Sequence, residues 1–443
     1  MQRFILEQSG DFYSSHSGLA LVGLCMNKYT SMGKQLGRQV GVMATGSSHP
    51  DVLRSYIGLL SIGKSDYDAI RNHRDDTYFK KSLGIKRIPS AEIMRQRFDK
   101  YAEAFRQVVE QCNVELLKKS KAPISTLTTG HVPLDIDVFP MDNSDSKKEG
   151  VSWTYHNYHG YAPIAAYLGL EGWCLEIELR PGSQHSQNGF VPFLERSLAN
   201  ARQVAGKNKK LLVRLDSAHD AVETRATMRQ HQKVSYILKW NPRAEDRASL
   251  ADKAFAKGRV TEVREGKHVA LLTTWQEQEH EGQLYRFTKV VRVTKRTIDS
   301  KGQHLLVPDI EVEGWWTNLD LPEEQIIRLY DGHGLSEQFH SEFKTDLDLE
   351  RLPSGKFATN ALIMALGVMT YNILRYIGQL GLLGEAAPIR HPAKRRRIKT
   401  VIQELIYLAS RLISTGRRWK LRFGRHCPGF RAFALVYNRL ALA

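Results

Sequence analysis

The feature that most constrains the fold is a succession of short apolar runs between residues 122 and 242. PISTLTTGHVPLDIDVF, GYAPIAAYLGL, GWCLEIELRPG, KLLVRLDSAHD and KVSYILKW are rich in Val, Ile, Leu and Tyr and are bounded by Gly, Pro and charged turns, the pattern of strands. Between the third and fourth runs, NGFVPFLERSLANARQVAGK carries its apolar residues at helical spacing. Three strands, a helix and a further strand predict a mixed sheet with helices packed on it, an α/β unit.

The flanking segments differ in character. Residues 1–121 read as helical. PDVLRSYIGLLSIGK sets Val52, Leu53, Tyr56, Leu59 and Leu60 on one side, and Ser90 is a good N-cap for a helix with Arg95, Arg97 and Lys100 in its first turns. Such a region suits DNA binding or a helical cap on the core, and the run GLALVGLCM fits a strand or a helix equally. Residues 243–317 are β-rich, with ADKAFAKG their one clear helix. Residues 318–384 return to helix. There the apolar stretch Ala361–Leu383 carries Asn372, Arg375 and Gln379 as one polar stripe, the mark of an amphipathic or core helix rather than a membrane span.

Two strands end in acids. In LDIDVF, Asp135 and Asp137 stand two residues apart, so both side chains leave the same face of the strand. Paired carboxylates in an apolar strand repel each other, a cost that a bound cation relieves or that solvation at a strand end avoids. LLVRLDSAHD ends its strand in Asp216, where a crevice or a helix N-cap follows. The third acid lies in YDGHGLSEQFHSEFK, Tyr330 to Lys344, after the helical PEEQIIRL. A helix from about Leu335 to Leu349 brings His333, Glu337 and Lys344 near one face. Asp137, Asp216 and Glu337 thus sit on three separate elements, the set that holds two Mg2+ or Mn2+ ions ~4 Å apart for phosphoryl transfer. His156, His159 and His185 match no metal-ligand spacing.

Charge points to the partner. The net charge is +17, and residues 388–443 hold fourteen Lys and Arg against the single acid Glu404, which makes +13 of that total. This excess fits a polyanionic partner, nucleic acid such as double-stranded DNA or an anionic membrane, or simply a basic surface. In RRWKLRF a strand would set Arg418, Lys420 and Arg422 on one face toward phosphates. Cys25, Cys112, Cys174 and Cys427 form neither a disulfide framework nor a metal motif and read as reduced thiols of a cytosolic protein, and MQRFILEQSGDFYSS lacks the apolar run of a signal peptide.

The spacing Tyr330, His333, Glu337, Lys344 resembles the Y-x2-R-x3-E-x6-K signature of DDE insertion-sequence transposases, the cut-and-paste group with a ribonuclease-H-like core. DVLRSYIGLLSIGKSDYDAI, PSAEIMRQRFD, LDIDVF, LVRLDSAHD, WTNLDLPEEQIIRLYDG and YNILR extend the similarity from about Asp51 onward. His333 replaces the family's arginine, and Phe139 and Ala218 depart from its Asp-x-Thr and Asp-Ser-Gly patterns.

The resemblance implies a ribonuclease-H-like catalytic core over 122–242 and 318–384, interrupted by the β-rich insertion 243–317 and flanked by the helical region 1–121 and a basic DNA-binding or dimerisation region 385–443. It implies Asp137, with Asp135 as the alternative, Asp216 and Glu337 as catalytic and metal-binding residues for two Mg2+ or Mn2+ ions. Tyr330, His333 and Lys344 take DNA-contacting positions, and Trp316 is a candidate to stack on a base flipped from the transposon end. The activity implied is binding of terminal inverted repeats, metal-dependent strand cleavage and strand transfer, by a homodimer on DNA in the bacterial cytoplasm, nucleoid-associated. A DNA-binding relic without chemistry, or a nuclease of the same fold that never joins strands, are the alternatives.

Overall fold

The computed structural model describes residues 3–243, 245–416 and 418–442. The five apolar runs form strands β1 (Val132–Val138), β2 (Ile164–Leu168), β3 (Trp173–Glu178), β4 (Leu211–Leu215) and β5 (Val234–Lys239), and the predicted helix is Phe190–Ala205. β1 pairs antiparallel with β2 and β2 with β3, whereas β1 runs parallel to β4 and β4 to β5. The resulting order is β3-β2-β1-β4-β5.

The β-rich segment does not stand apart from this sheet. Its strands β6 (Arg259–Arg264), β7 (Lys267–His280), β8 (Gln283–Ile298) and β9 (His304–Thr317) run antiparallel, and β9 pairs with β5 through Trp315, Trp316 and Thr317. One nine-stranded sheet results. The β7–β8 turn is held by Glu281 and Gly282, both at positive φ (50° and 77°), the backbone that a two-residue hairpin requires.

Helix Phe357–Gly381 passes through the middle of the protein. It is long and apolar enough to cross a membrane, yet 83% of its most apolar stretch is buried inside the fold. The polar stripe explains why. Asn372 Nδ2 donates to Asn113 Oδ1 (2.7 Å) and to the Cys174 carbonyl (2.6 Å), while Asn372 Oδ1 accepts from Cys174 N (3.1 Å). Asn113 belongs to the long helix Ala91–Lys119, whose N-cap Ser90 accepts from Ile93 N at 3.2 Å.

The two ends of the chain are packed together. GLALVGLCM resolves as helix Leu19–Tyr29, and a Cβ at Gly23 would lie 1.8 Å from the Ser82 carbonyl, so only glycine admits that approach. Strand Phe12–Ser14 pairs with Ser410–Thr415, which pairs with Arg418–Phe423. The helical spacing of Ile398, Val401, Ile402, Leu405, Leu408 and Leu412 predicts a single C-terminal helix, and this pairing cuts it short. Helical structure there ends at Ile406, because Leu412 is taken into a strand opposite Phe12. Cys25, Cys112 and Cys174 are buried and, like Cys427, free.

Candidate active site

The C-terminal ends of β1 and β4 lie side by side. Their register pairs Asp135 with Arg214 and Ile136 with Leu215, so Asp137 and Asp216 each emerge one step later on neighbouring parallel strands. Groups at such ends face the crevice where open α/β sheets bind ligands.

The two acids of LDIDVF have separate roles. Asp135 is buried and takes a bidentate ion pair from Arg214, Nε to Oδ1 at 2.6 Å and Nη2 to Oδ2 at 2.7 Å. His333 Nδ1 lies 3.2 Å from the same Oδ1. Burial alone would raise the Asp135 carboxyl, but Arg214 and His333 outweigh it and hold it below the usual range. Asp135 is therefore satisfied inside the protein.

Asp137 has no cation of this kind. Its carboxylate accepts from Val138 N (2.8 Å) and Ser336 Oγ (3.1 Å), with His340 Nδ1 at 3.9 Å. Burial, opposed by the charge of His333 and reinforced by that of Asp216, pushes it up to about 6. Burial likewise raises Asp216, whose Oδ1 is enclosed and has no hydrogen-bond partner although 41% of the side chain is exposed. Two carboxylates that resist ionisation beside each other, one with an orphaned oxygen, make a donor set that a hard divalent cation fits.

The third acid stands outside that pair. Glu337 is exposed on helix Leu335–Ser341, and among the described residues no three His, Cys, Asp or Glu side chains converge as a metal site. The uniform helix to Leu349 is replaced by a 3-10 turn at Gly332–Gly334, the helix, and a π turn at Glu342–Asp346. Changes of pitch break the simple face-sharing of His333, Glu337 and Lys344. Ser336 and His340 face Asp137 instead.

The predicted DNA-contacting residues fall into two groups. Arg418, Lys420 and Arg422 are exposed along strand Arg418–Phe423. Tyr330 is half-buried, its ring 5.7 Å from that of His333. His333 is buried against Asp135 with Nε2 unpartnered, and Asp135 together with Asp137 raises its pKa against the opposing effect of burial. Lys344 donates to the Pro140 carbonyl at 2.8 Å and lies 3.2 Å from Glu350 Oε2, so it is satisfied internally. The stacking role expected of Trp316 meets a correction. Its ring is 2% exposed, Nε1 donates to Asp220 at 3.1 Å, and the Arg225 and Lys289 cations lie 4.2 and 4.8 Å from its centroid, because β9 carries it into the core sheet. The exposed tryptophan of the β-rich segment is Trp275.

Part of the C-terminal charge also turns inward. Arg395 donates to Glu342 Oε1 and Gln338 Oε1, each at 2.7 Å, and Arg397 to Asp346 at 2.9 Å. Arg375 pairs with the same buried Glu342. Sequence reasoning missed Arg214, Ser336 and His340. The signal for Arg214 was present, since a cation inside LLVRL must find a buried partner.

A family model described as "Transposase DDE domain group 1" matches residues 2–443. No curated protein matches. Among solved structures, the cryo-EM structure of a piggyBac transposase synaptic complex with hairpin DNA is similar at TM-score 0.41 and 9% identity, covering 89% of this chain and 80% of that one.

Proposed function

This chain belongs to the group 1 transposase DDE domain family, and from that premise we propose that it binds the terminal inverted repeats of an insertion sequence, cleaves a DNA strand there and joins the freed 3′ end to new DNA. The observation that carries the reading is the pair Asp137 and Asp216, adjacent and raised in pKa by burial, with the neighbouring His333 engaged by Asp135. The strand order β3-β2-β1-β4-β5, antiparallel then parallel, supports a ribonuclease-H-like core.

In this reading Asp137 and Asp216 would hold Mg2+ or Mn2+, with Glu337 as the third acid of the set. The chemistry such ions supply is activation of the attacking water or 3′-hydroxyl and neutralisation of the leaving oxygen. Ser336 fixes the Asp137 carboxylate by its 3.1 Å hydrogen bond. Arg214 fixes the strand beneath it through Asp135, and its Nη1 donates to the Leu329 carbonyl at 2.7 Å, tying in the helix Glu323–Asp331 that leads to the third acid. Arg418, Lys420 and Arg422 contact backbone phosphates, and pairing of two transposon ends calls for a homodimer on DNA.

The test is cleavage of the element's own end DNA in Mg2+ by the wild type, Asp216→Asn and Glu337→Gln. Cleavage by the wild type and its loss in both variants supports the reading; undiminished cleavage in the variants sinks it. The exposed position of Glu337 also favours, as a second reading, a DNA-binding relative without chemistry. DNA binding by the wild type with no cleavage in Mg2+ or Mn2+ would establish that alternative.

A further inference from the structure

The helical region 1–121 holds a cavity of about 860 Å3 that the cleavage chemistry leaves unused. Its walls come from the 3-10 helix Tyr67–His73, the segment Lys86–Ser90 and the first turn of helix Ala91–Lys119.

One buried group in the wall lacks a protein partner. Ser47 is 2% exposed and its hydroxyl makes no hydrogen bond, although a buried hydroxyl ordinarily finds one. Its place is fixed by the residues that follow. Ser48 and Asp51 form the capping box of helix His49–Ser61, and the buried Asp51 carboxylate also accepts from Lys86 N at 2.9 Å and Arg87 N at 3.4 Å. One carboxylate thus ties the backbone of Lys86 and Arg87 to the helix start next to Ser47.

The lining is cationic. Arg74, Lys80, Lys86 and Arg87 are exposed there and form no ion pair among the described residues, while Arg71 is shared between Asp68 (2.9 Å) and Glu92 (3.4 Å). Helix Ala91–Lys119 adds the positive end of its dipole. Two acids oppose these charges, Asp75 and Glu92, and the Glu92 carboxylate bonds back to its own N–H and to Ser90. Ile70, Ile88 and Pro89 make part of the wall apolar.

We propose that this cavity binds a free nucleoside polyphosphate, with its phosphates on the four unpaired cations, Ser47 as a hydrogen-bond partner and the base against the apolar wall. A terminal phosphate carries up to two negative charges where a DNA phosphodiester carries one, so it gains more from clustered cations beside a helix start. The volume lies within the range of about 300–1,000 Å3 that encloses small ligands. A duplex carries its phosphates on the outside and keeps its base faces stacked, so a recess that joins phosphate donors to an apolar wall suits a free nucleotide. Nothing in this site depends on strand cleavage.

Calorimetric titration of the full-length protein with ATP tests the site. EDTA is present so that no metal bridges the nucleotide to Asp137 and Asp216. Wild type should bind one ATP per chain, and inorganic tripolyphosphate, which lacks the base, about tenfold more weakly. Arg74→Ala and Arg87→Ala should each weaken ATP by about tenfold and Ser47→Ala by about threefold, the effects of a charged and a neutral hydrogen bond. Glu92→Gln, which removes a competing acid, should tighten it. Lys253→Ala, at an exposed cation of helix Arg247–Lys257, should leave ATP affinity unchanged, as should saturation of the protein with blunt duplex DNA. Melting curves establish that each variant is folded. Absence of ATP binding by folded wild type, equal weakening by Lys253→Ala, or displacement of ATP by duplex overturns the proposal. Tripolyphosphate binding as tight as that of ATP overturns the nucleoside assignment.

Discussion

Arg214 and Asp135 face each other across neighbouring parallel strands and close a bidentate ion pair, 2.6 and 2.7 Å, with both side chains almost wholly buried. Each stands two residues before a candidate metal ligand, Asp216 and Asp137. The pair is therefore a registration device between the two strands that present those ligands.

Removing one member leaves a buried charge without its partner. Asp135→Leu and Arg214→Met should each destabilise the fold by about 3–5 kcal/mol, and the double variant carrying both changes by less than either single change. Denaturant unfolding of the four proteins measures the cycle. Additive losses would show that the two side chains act independently.

Asp137, with its pKa raised to about 6 against a usual 3.8, has a definite sign in the pH dependence of stability. A raised carboxyl binds its proton more tightly folded than unfolded, so its contribution is favourable below about pH 4 and is lost as pH rises to about 6. Asp137→Asn should therefore raise Tm at neutral pH by the equivalent of about 2 to 3 kcal/mol, flatten the decline between those two pH values, and abolish cleavage. Melting curves against pH for wild type and variant test this.

Divalent cations should relieve the same repulsion. Mg2+ or Mn2+ is expected to raise the wild-type Tm and to leave that of Asp137→Asn or Asp216→Asn unchanged, because binding to the native state alone stabilises it. An equal rise in all three proteins would place the ions elsewhere.

Glu337 is exposed, so Glu337→Gln should change stability by no more than about 0.5 kcal/mol while removing strand cleavage. Unfolding and cleavage measured on one preparation separate the two effects.

The basic C-terminal residues should divide by role. Alanine at Arg418, Lys420 or Arg422 should make the salt dependence of DNA binding shallower by about 0.9 in the log–log slope for each phosphate that is no longer neutralised. Arg395→Ala should lower stability, because it uncovers one oxygen of the buried Glu342, and leave that slope unaltered. Titrations across a salt series distinguish them.

Local pattern alone was enough for the α/β class, the five core strands and the helix among them, because a period of two or of 3.6 in apolar residues is a property of neighbouring positions in the chain. It was also enough to end two strands at Asp137 and Asp216 and to line Arg418, Lys420 and Arg422 along an exposed edge. Family membership was legible in the motif spacing. What each side chain meets came from the packing of distant segments. Asp135 and Asp137 are equivalent in LDIDVF, and only the register that sets Arg214 against Asp135 separates a satisfied ion pair from an open carboxylate. Trp316 resembles any other tryptophan until β9 joins β5 and buries it. The Arg395 and Arg397 charges read as free until Glu342 and Asp346 come within reach from residues some fifty positions earlier. Pairing of this kind is set by the global fold, and a local pattern holds no record of it.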